Sequence, residues 1–229
     1  MDKPESRDKK RLLLVKPPEN SFFSFGGFSL AVLAAAVRHS AHVTILDCTT
    51  KTYDEATELI TRHKADIIGI TLMGFTSLDG GIRLIEAINT AVPADEAKPL
   101  IITGGHGAFV FPGEILEAGC QCVVFGEGEI TLQEILDKGI QPGMPGTIVL
   151  VKGELVRGEA RKPVHPMDLL NTAARDLIAP PPNNMHLLET SRGCPHRCKF
   201  CETTKFFGRK WRLFTKPDGG NDRPLSSPL

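Results

Sequence analysis

The sequence predicts an α/β fold that begins with a doubly wound sheet of five parallel strands. Three observations predict it. Five short apolar segments recur within residues 11–138, helical apolar stripes separate them, and the composition of 41% hydrophobic and 24% charged residues is that of a globular protein. Strands that are apolar throughout are typical of a parallel sheet covered on both faces, and alternating strands and helices favour right-handed crossovers.

The predicted strands and helices alternate along this part of the chain. The strands are Arg11–Lys16, His42–Asp47, Asp66–Thr71, Leu100–Thr103 and Gln121–Phe125. Between them, side chains at helical spacing share one face of each predicted helix, namely Ala56, Leu59, Ile60 and His63, then Ile82, Ile85 and Ile88, then Leu132, Ile135 and Leu136. The last helix is expected to end at Gly139, because glycine is common just after a helix.

After Gly139 the pattern changes. The predicted elements are a hairpin of Thr147–Val151 and Glu154–Val156, a proline-rich linker over residues 158–185 with a helical piece near Met167–Leu177, and a strand at Met185–Thr190. The chain is therefore expected to comprise a first domain at residues 1–140, a hairpin and linker at 141–185, and the beginning of a second domain at 186–229.

Ligands of doubly wound sheets bind beyond the carboxyl ends of the strands. Here the loops at those ends are rich in glycine and in small or polar residues, so backbone groups can approach a ligand closely. The five loops cover residues 17–20, 47–50, 72–77, 104–107 and 126–129. The candidate contact residues are Asp47, Thr71, Met73, Thr76, Ser77, Gly104, Gly105, His106, Gly126, Glu127, Gly128 and Glu129.

The three cysteines Cys194, Cys198 and Cys201 have C-x3-C-x2-C spacing and directly follow Arg192-Gly193. Three thiolates on one short loop can bind three irons of a [4Fe–4S] cluster and leave the fourth iron open. An open iron is what S-adenosylmethionine (SAM) needs in order to chelate. Zinc is the alternative, but zinc sites mostly combine C-x2-C pairs into four ligands, and this sequence has no second pair.

This cysteine motif resembles that of the radical SAM superfamily, in which an aromatic residue such as Phe200 usually precedes the third cysteine. Together with the upstream domain, it resembles the cobalamin-binding radical SAM proteins. The matching segments are Lys16-Pro17-Pro18, Ile45-Leu46-Asp47, Gly69-Ile70-Thr71, Thr103-Gly104-Gly105, Pro112 with Glu114, Gly126-Glu127-Gly128-Glu129 and Ala174-Arg175-Asp176-Leu177. The stretch 126–129 and the cysteine loop are the most specific of them.

The resemblance implies a flavodoxin-like cobalamin-binding domain followed by the start of a radical SAM barrel. It implies that Cys194, Cys198 and Cys201 bind the [4Fe–4S] cluster, that Phe200 contacts SAM, and that the loop residues named above contact cobalamin. Full-length relatives generate a 5′-deoxyadenosyl radical and either transfer a methyl group to an unactivated carbon or perform an oxidative cyclisation.

The sequence departs from the pattern of cobalamin domains that bind cobalt through a histidine. Those domains use Asp-x-His-x-x-Gly, whereas Asp47 is followed here by Cys48 and Thr49. The resemblance therefore implies base-off cobalamin without a protein imidazole on cobalt. His106 lies one position before the histidine often found in its loop, where this chain has Gly107, and Gly113 replaces a common acidic residue.

Other classes of domain remain as alternatives for the upstream part, a flavin or nucleotide binder first among them. The sequence contains neither G-x-G-x-x-G after the first strand nor G-x-x-x-x-G-K-[ST], which disfavours dinucleotides and nucleoside triphosphates. A receiver domain would carry a phosphorylated aspartate where Thr71 stands. The tRNA methylthiolating enzymes carry an upstream cysteine triad, which Cys48, Cys120 and Cys122 do not resemble; these three are expected in the core.

Net charge is zero, which disfavours nucleic acid as a partner. The longest apolar stretch, Leu30–Val37, is too short to cross a bilayer, and the charged N-terminus does not resemble a signal peptide. We therefore expect a cytoplasmic protein whose partners are small-molecule cofactors and an electron donor such as a flavodoxin or ferredoxin. Basic residues between Glu189 and Lys216 form either a solvated collar or a contact for an acidic reductant.

The position of the cysteine motif near Leu229 leads to a further expectation. Each βαβ unit needs about 30 residues, so the residues after Cys201 cannot complete a barrel. We expect no substrate turnover by residues 1–229 alone. The alternative function is that of a truncated or frameshifted module that binds cobalamin without catalysis.

Overall fold

The computed structural model describes residues 9–19, 27–74, 77–179 and 187–215, and its centre is a seven-stranded sheet. The strands are β1 (Arg11–Lys16), β2 (His42–Asp47), β3 (Ile67–Thr71), β4 (Leu100–Gly104), β5 (Cys122–Val124), β6 (Thr147–Val151) and β7 (Glu154–Arg157). Their order is β2-β1-β3-β4-β5-β6-β7, and the first five are parallel. This arrangement confirms the predicted doubly wound, flavodoxin-like α/β class, with its switch in strand order beside β1.

Helices cover both faces of the sheet. They are α1 (Phe28–Val37), α2 (Tyr53–Arg62), α3 (Leu78–Ala91), α4 (His106–Val110), α5 (Pro112–Glu117), α6 (Gly128–Lys138) and α7 (Thr203–Phe206). Residues of α2, α3 and α5 pack into one core on one face, and residues of α1 and α6 pack into a second core on the other. Because parallel strands alternate their side chains between the two cores, strands such as β3 are buried at every position.

The predicted hairpin is not separate from the first domain. Strand β6 pairs antiparallel with β5, with Val123 opposite Ile148, and β7 pairs with β6. The predicted five-stranded sheet is therefore extended to seven strands. The extension follows from burial, since β5 would otherwise be an apolar edge, and the side chains of Thr147, Ile148 and Val149 are buried against it.

Helix α1 is apolar around most of its circumference, with buried leucine, valine and alanine side chains on several sides. A helix of this kind needs cover on more than one face. The sheet covers one side, and the linker covers another, where Ala173 packs against Ala31 and the Ala174 amide donates to the Ala31 carbonyl at 2.9 Å. Arg38 donates to both carboxylate oxygens of Asp176, at 2.9 and 2.7 Å.

The last described segment forms a small ribbon in which β8 (Ser191–Arg192) pairs antiparallel with β9 (Arg212–Leu213). The predicted strand Met185–Thr190 differs from this: its first two residues lie outside the described residues, and residues 187–190 are irregular. The ladder begins at Ser191, although the Phe214 amide also donates to the Thr190 carbonyl at 3.0 Å. The predicted helical piece near 167–177 is two 3-10 turns, Met167–Leu169 and Arg175–Leu177.

No helix within the described ranges is both long enough and apolar enough to cross a bilayer.

Candidate functional site

A cleft of about 200 Å³ lies beyond the carboxyl ends of β1, β3, β4 and β5, on the face covered by α1 and α6. Its floor contains Leu14, Gly69 and Ile102 from the strands, and its walls contain apolar side chains of α1 and α6. This is the edge at which doubly wound sheets bind ligands. The cleft therefore lies at the edge of the sheet where the sequence predicts a ligand site.

Several residues at the rim of the cleft are glycines, so the backbone there is not covered by side chains. Gly105 has a φ of +98°, and a Cβ at this position would lie 2.5 Å from the carbonyl oxygen of Leu72. Only glycine fits there. At Gly104 a Cβ would lie 3.5 Å from the carbonyl oxygen of Val124, an ordinary contact, so this glycine is not required by the neighbouring backbone. Its open position leaves the cleft free for a ligand.

The structure brings most, but not all, of the candidate contact residues together. Those that line the cleft are Thr71, Met73, Gly104, Gly105, His106, Gly126, Glu127, Gly128 and Glu129. Asp47 and Ser77 do not line it: the Asp47 carboxylate accepts from the Thr49 amide at 3.0 Å, and the Ser77 hydroxyl donates to the Gly74 carbonyl at 2.8 Å. Thr76 lies outside the described residues.

His106 connects the cleft to the segment that carries the cysteines. Its ring stacks on Phe206, with centroids 4.1 Å apart, and meets Phe207 edge-on at 5.7 Å. Burial lowers the pKa of the imidazole, an effect that nearby Glu202 only partly opposes. The ring is therefore neutral at pH 7 and acts as an aromatic wall of the cleft.

Two glutamates of the cleft are held in buried ion pairs. Glu129 lies 2.7 Å from Arg192, and Glu127 is paired with Arg212. Arg192 also donates to Glu189 at 2.8 Å. The carboxylates of Glu127 and Glu129 thus contact the last described segment, and their predicted contact with cobalamin stays a prediction.

Several cleft residues were not among the sequence candidates. They are Phe28, Leu30 and Leu33 of α1, and Arg192, Phe206 and Phe207 of the last described segment. The side chains on α1 carry only a core-like apolar signal, which does not distinguish a ligand wall from a helix packed on a sheet. Phe206 and Phe207 follow the cysteine motif closely in sequence, but that spacing does not predict their contact with His106.

The three motif cysteines lie on one loop between β8 and α7, all as free thiols; Cys198 is exposed, and Cys194 and Cys201 are partly so. Among the described residues, no three His, Cys, Asp or Glu side chains converge around a single metal ion. A [4Fe–4S] cluster does not need such convergence, because each thiolate binds a different iron. Three thiolates match the donor set of a cluster with one open iron, whereas structural zinc sites use four ligands.

The predicted SAM contact, Phe200, lies on this loop and is 89% exposed. Its ring does not line the cleft, and its contact with SAM stays a prediction.

The remaining cysteines are buried, as expected for core thiols. Burial raises the pKa of Cys48 and Cys120 to about 11 and that of Cys122 to about 12. Thiols of this kind remain protonated at pH 7 and do not compete for iron.

Cys201 is expected to be alkylated at lower pH than an ordinary thiol. Hydrogen bonds from the Thr203 hydroxyl and backbone favour its thiolate and lower its pKa. With Cys194 and Cys198 replaced by serine, the alkylation rate of Cys201 against pH should have a midpoint below that of a free thiol, and Thr203→Val should move the midpoint upward. An unchanged midpoint in Thr203→Val would contradict this origin of the shift.

Comparison with known proteins matches the part of the chain that forms most of the cleft. Residues 25–136 match the B12 binding domain family. The chain is 29% identical, over 228 aligned residues, to an uncharacterized methyltransferase of Pyrococcus horikoshii, an alignment that covers 89% of this chain and 47% of that protein. The chain thus spans about half the length of this relative.

Solved structures share the fold. The radical SAM methyltransferase TsrM from Kitasatospora setae, with tryptophan and a SAM analog bound, superposes with a TM-score of 0.71 at 20% identity, over 90% of this chain and 43% of that chain. The cobalamin-dependent SAM radical enzyme OxsB with aqua-cobalamin bound gives 0.70 at 19% identity, over 90% and 30%.

Proposed function

We propose that this chain is the cobalamin- and cluster-binding part of a cobalamin-dependent radical SAM enzyme, from the premise that residues 25–136 match the B12 binding domain family. The observation that carries the proposal is the closure of the cleft by the cysteine-bearing segment. Phe206 and Phe207 follow Cys201 by only a few residues, and both line the cleft beside Gly104 and His106. Two predicted cofactor sites are thus adjacent.

The cleft suits an apolar part of a ligand, and its rim suits a ligand that approaches the backbone. Gly104, Gly105, Gly126 and Gly128 line its edge without side chains, while the side chains of α1 and α6 form an apolar wall. These residues would hold cobalamin. Since Asp47 is followed by Cys48 and Thr49, this loop offers no imidazole to cobalt, and His106 is stacked on Phe206.

The cysteine loop fits the cluster by the chemistry of its donors. Cys194, Cys198 and Cys201 would bind three irons, with Cys201 favoured as a thiolate by Thr203. Phe200, directly before Cys201, is exposed and free to contact SAM. When bound, the cluster would supply an electron for the cleavage of SAM, and cobalamin would supply a methyl group. The three cysteines would hold the cluster, and the residues of the cleft would hold cobalamin.

The reaction we propose for the whole protein is methyl transfer to an unactivated carbon, because the relative from Pyrococcus horikoshii and TsrM are both named methyltransferases. Oxidative cyclisation is the second possibility for the whole protein.

Exposed basic side chains beside the cysteine loop, such as Arg197, Lys199 and Lys205, suit an acidic electron donor such as a flavodoxin or ferredoxin. Free thiols and an oxygen-sensitive cluster suit the cytoplasm.

Titration of the purified chain with hydroxocobalamin tests the cobalamin part of the proposal. We expect saturable binding and the absorbance of base-off cobalamin, because the loop after Asp47 carries no histidine for cobalt. A histidine-ligated spectrum would contradict the absence of a protein ligand, and no binding at high micromolar concentration would favour the flavin-binding alternative.

A further inference from the structure

Four buried side chains form one ion-pair network beside the cleft. Arg192 Nη1 lies 2.7 Å from Glu129 Oε1 and 3.8 Å from Glu127 Oε1, while Arg212 Nη2 pairs with Glu127. Each of the four side chains is between 4% and 7% exposed. At this burial the charges depend on one another, since a carboxylate or guanidinium deprived of its partner would be left in a low-dielectric environment.

The network connects parts of the chain that are distant in sequence. Glu127 lies in the loop between β5 and α6, and Glu129 lies in the first turn of α6. Arg192 and Arg212, by contrast, are the paired residues of β8 and β9. The other oxygen of Glu127 accepts from the Val164 amide at 2.8 Å, so the linker is part of the same contact.

The arginines are also fixed on their own side of the contact. Arg212 donates to the carbonyls of Val164 and Phe207, at 2.7 and 3.2 Å, and Arg192 donates through Nε and Nη2 to both oxygens of Glu189, at 2.8 and 3.1 Å. The Arg192 guanidinium also lies 5.9 Å from the Phe207 ring. The network therefore connects β8, and the cysteine loop that begins two residues later, to the edge of the cleft.

We propose that Glu127 and Glu129 are positioning residues, which act through Arg192 and Arg212 to hold the cysteine loop at a fixed place beside the cleft. They set the position of the cluster relative to cobalamin, and their carboxylates serve the protein rather than the ligand. The part of this inference that concerns the cofactors rests on the proposed function. The part that concerns the loop does not.

Hydrogen exchange of the whole chain without cofactors tests the loop. We expect Glu129→Gln to speed amide exchange at least about tenfold in residues 187–215, where the Phe214 amide bonds to the Thr190 carbonyl, and to leave β1 to β4 unchanged. The matched control is Glu58→Gln, which removes an exposed ion pair with Arg62 on α2 and should change neither region. Unchanged exchange at residues 187–215 would overturn the proposal.

A single substitution that leaves Arg192 short of a partner can weaken the whole fold, and exchange would then rise everywhere. The double variant Glu129→Gln with Arg192→Met removes both charges of the Glu129–Arg192 pair, so neither of these two residues is left as an unpaired buried charge. We expect it to restore slow exchange in β1 to β4 while residues 187–215 remain fast. A uniform rise in this variant as well would overturn the proposal.

Electron paramagnetic resonance of the reconstituted chain tests the position of the cofactors. With reduced cluster and cob(II)alamin both bound, the wild-type protein should give one defined spin–spin interaction, and Glu129→Gln should give a heterogeneous one at the same metal content. An identical interaction in both would refute the positioning role. If neither cofactor binds although exchange rises only at residues 187–215, the proposed function fails and the role of the network in holding the loop stands.

Discussion

Replacing Cys194, Cys198 or Cys201 by alanine is expected to abolish the iron–sulfur cluster. Each thiolate binds its own iron, and the described loop offers no fourth cysteine to replace a lost one. After anaerobic reconstitution, the wild-type chain should hold about four irons with the charge-transfer absorbance of a [4Fe–4S] cluster, and each variant should lose most of both.

The matched control for these variants is Cys48→Ala. Cys48 is fully buried after β2, and burial raises its pKa to about 11, so it should not bind iron. This variant should retain the iron content of the wild type. Stoichiometric zinc without iron in the anaerobically purified wild type would contradict the cluster and favour the zinc alternative.

Gly104→Leu is expected to weaken cobalamin binding at least about tenfold, which corresponds to roughly 1.4 kcal/mol. Gly104 ends β4 two positions after Ile102, so by strand alternation both face the cleft. The neighbouring backbone tolerates a Cβ here, since the nearest atom, the Val124 carbonyl oxygen, would be 3.5 Å away. The leucine side chain therefore occupies space in the cleft without distorting the sheet, and the dissociation constant for hydroxocobalamin measures the loss.

Gly113→Ala is the control for this substitution. Gly113 lies in α5, away from the cleft, and its Cβ would meet only the Leu155 side chain at 4.0 Å. Its affinity for cobalamin should equal that of the wild type. Equal affinities of Gly104→Leu and the wild type, with both folded, would place the ligand elsewhere.

The parallel strands could be predicted from sequence because each one carries its own signal. Strands β1 and β2 have the predicted bounds, since an apolar or β-branched run flanked by polar residues determines its own ends. The pairing of β5 with β6 could not be predicted, because the hairpin pattern of Thr147–Val151 is the same whether it stands alone or extends a sheet. The short strand at Ser191–Arg192 likewise depends on its partner, β9, and on no local preference.

The candidate site could likewise be predicted from the sequence only in part. The loops after β3, β4 and β5 were identified because strand ends in a doubly wound sheet meet at one edge. Asp47 lies apart from these loops and does not line the cleft, because β2 is the edge strand, and its contact with cobalamin stays a prediction. The pairing of Glu129 with Arg192 lay beyond sequence reasoning, since a glutamate beside a glycine gives the same pattern whether it binds a ligand or an arginine.

The most direct test of the account is the metal content of one preparation. The chain is purified anaerobically, reconstituted with iron, sulfide and hydroxocobalamin, freed of unbound cofactor, and analysed for iron, cobalt and zinc. The account predicts about four irons and one cobalt per chain in the wild type, less cobalt in Gly104→Leu, and loss of most of the iron in Cys198→Ala. A wild-type chain that retains no cobalt, or that holds zinc in place of iron, would contradict it.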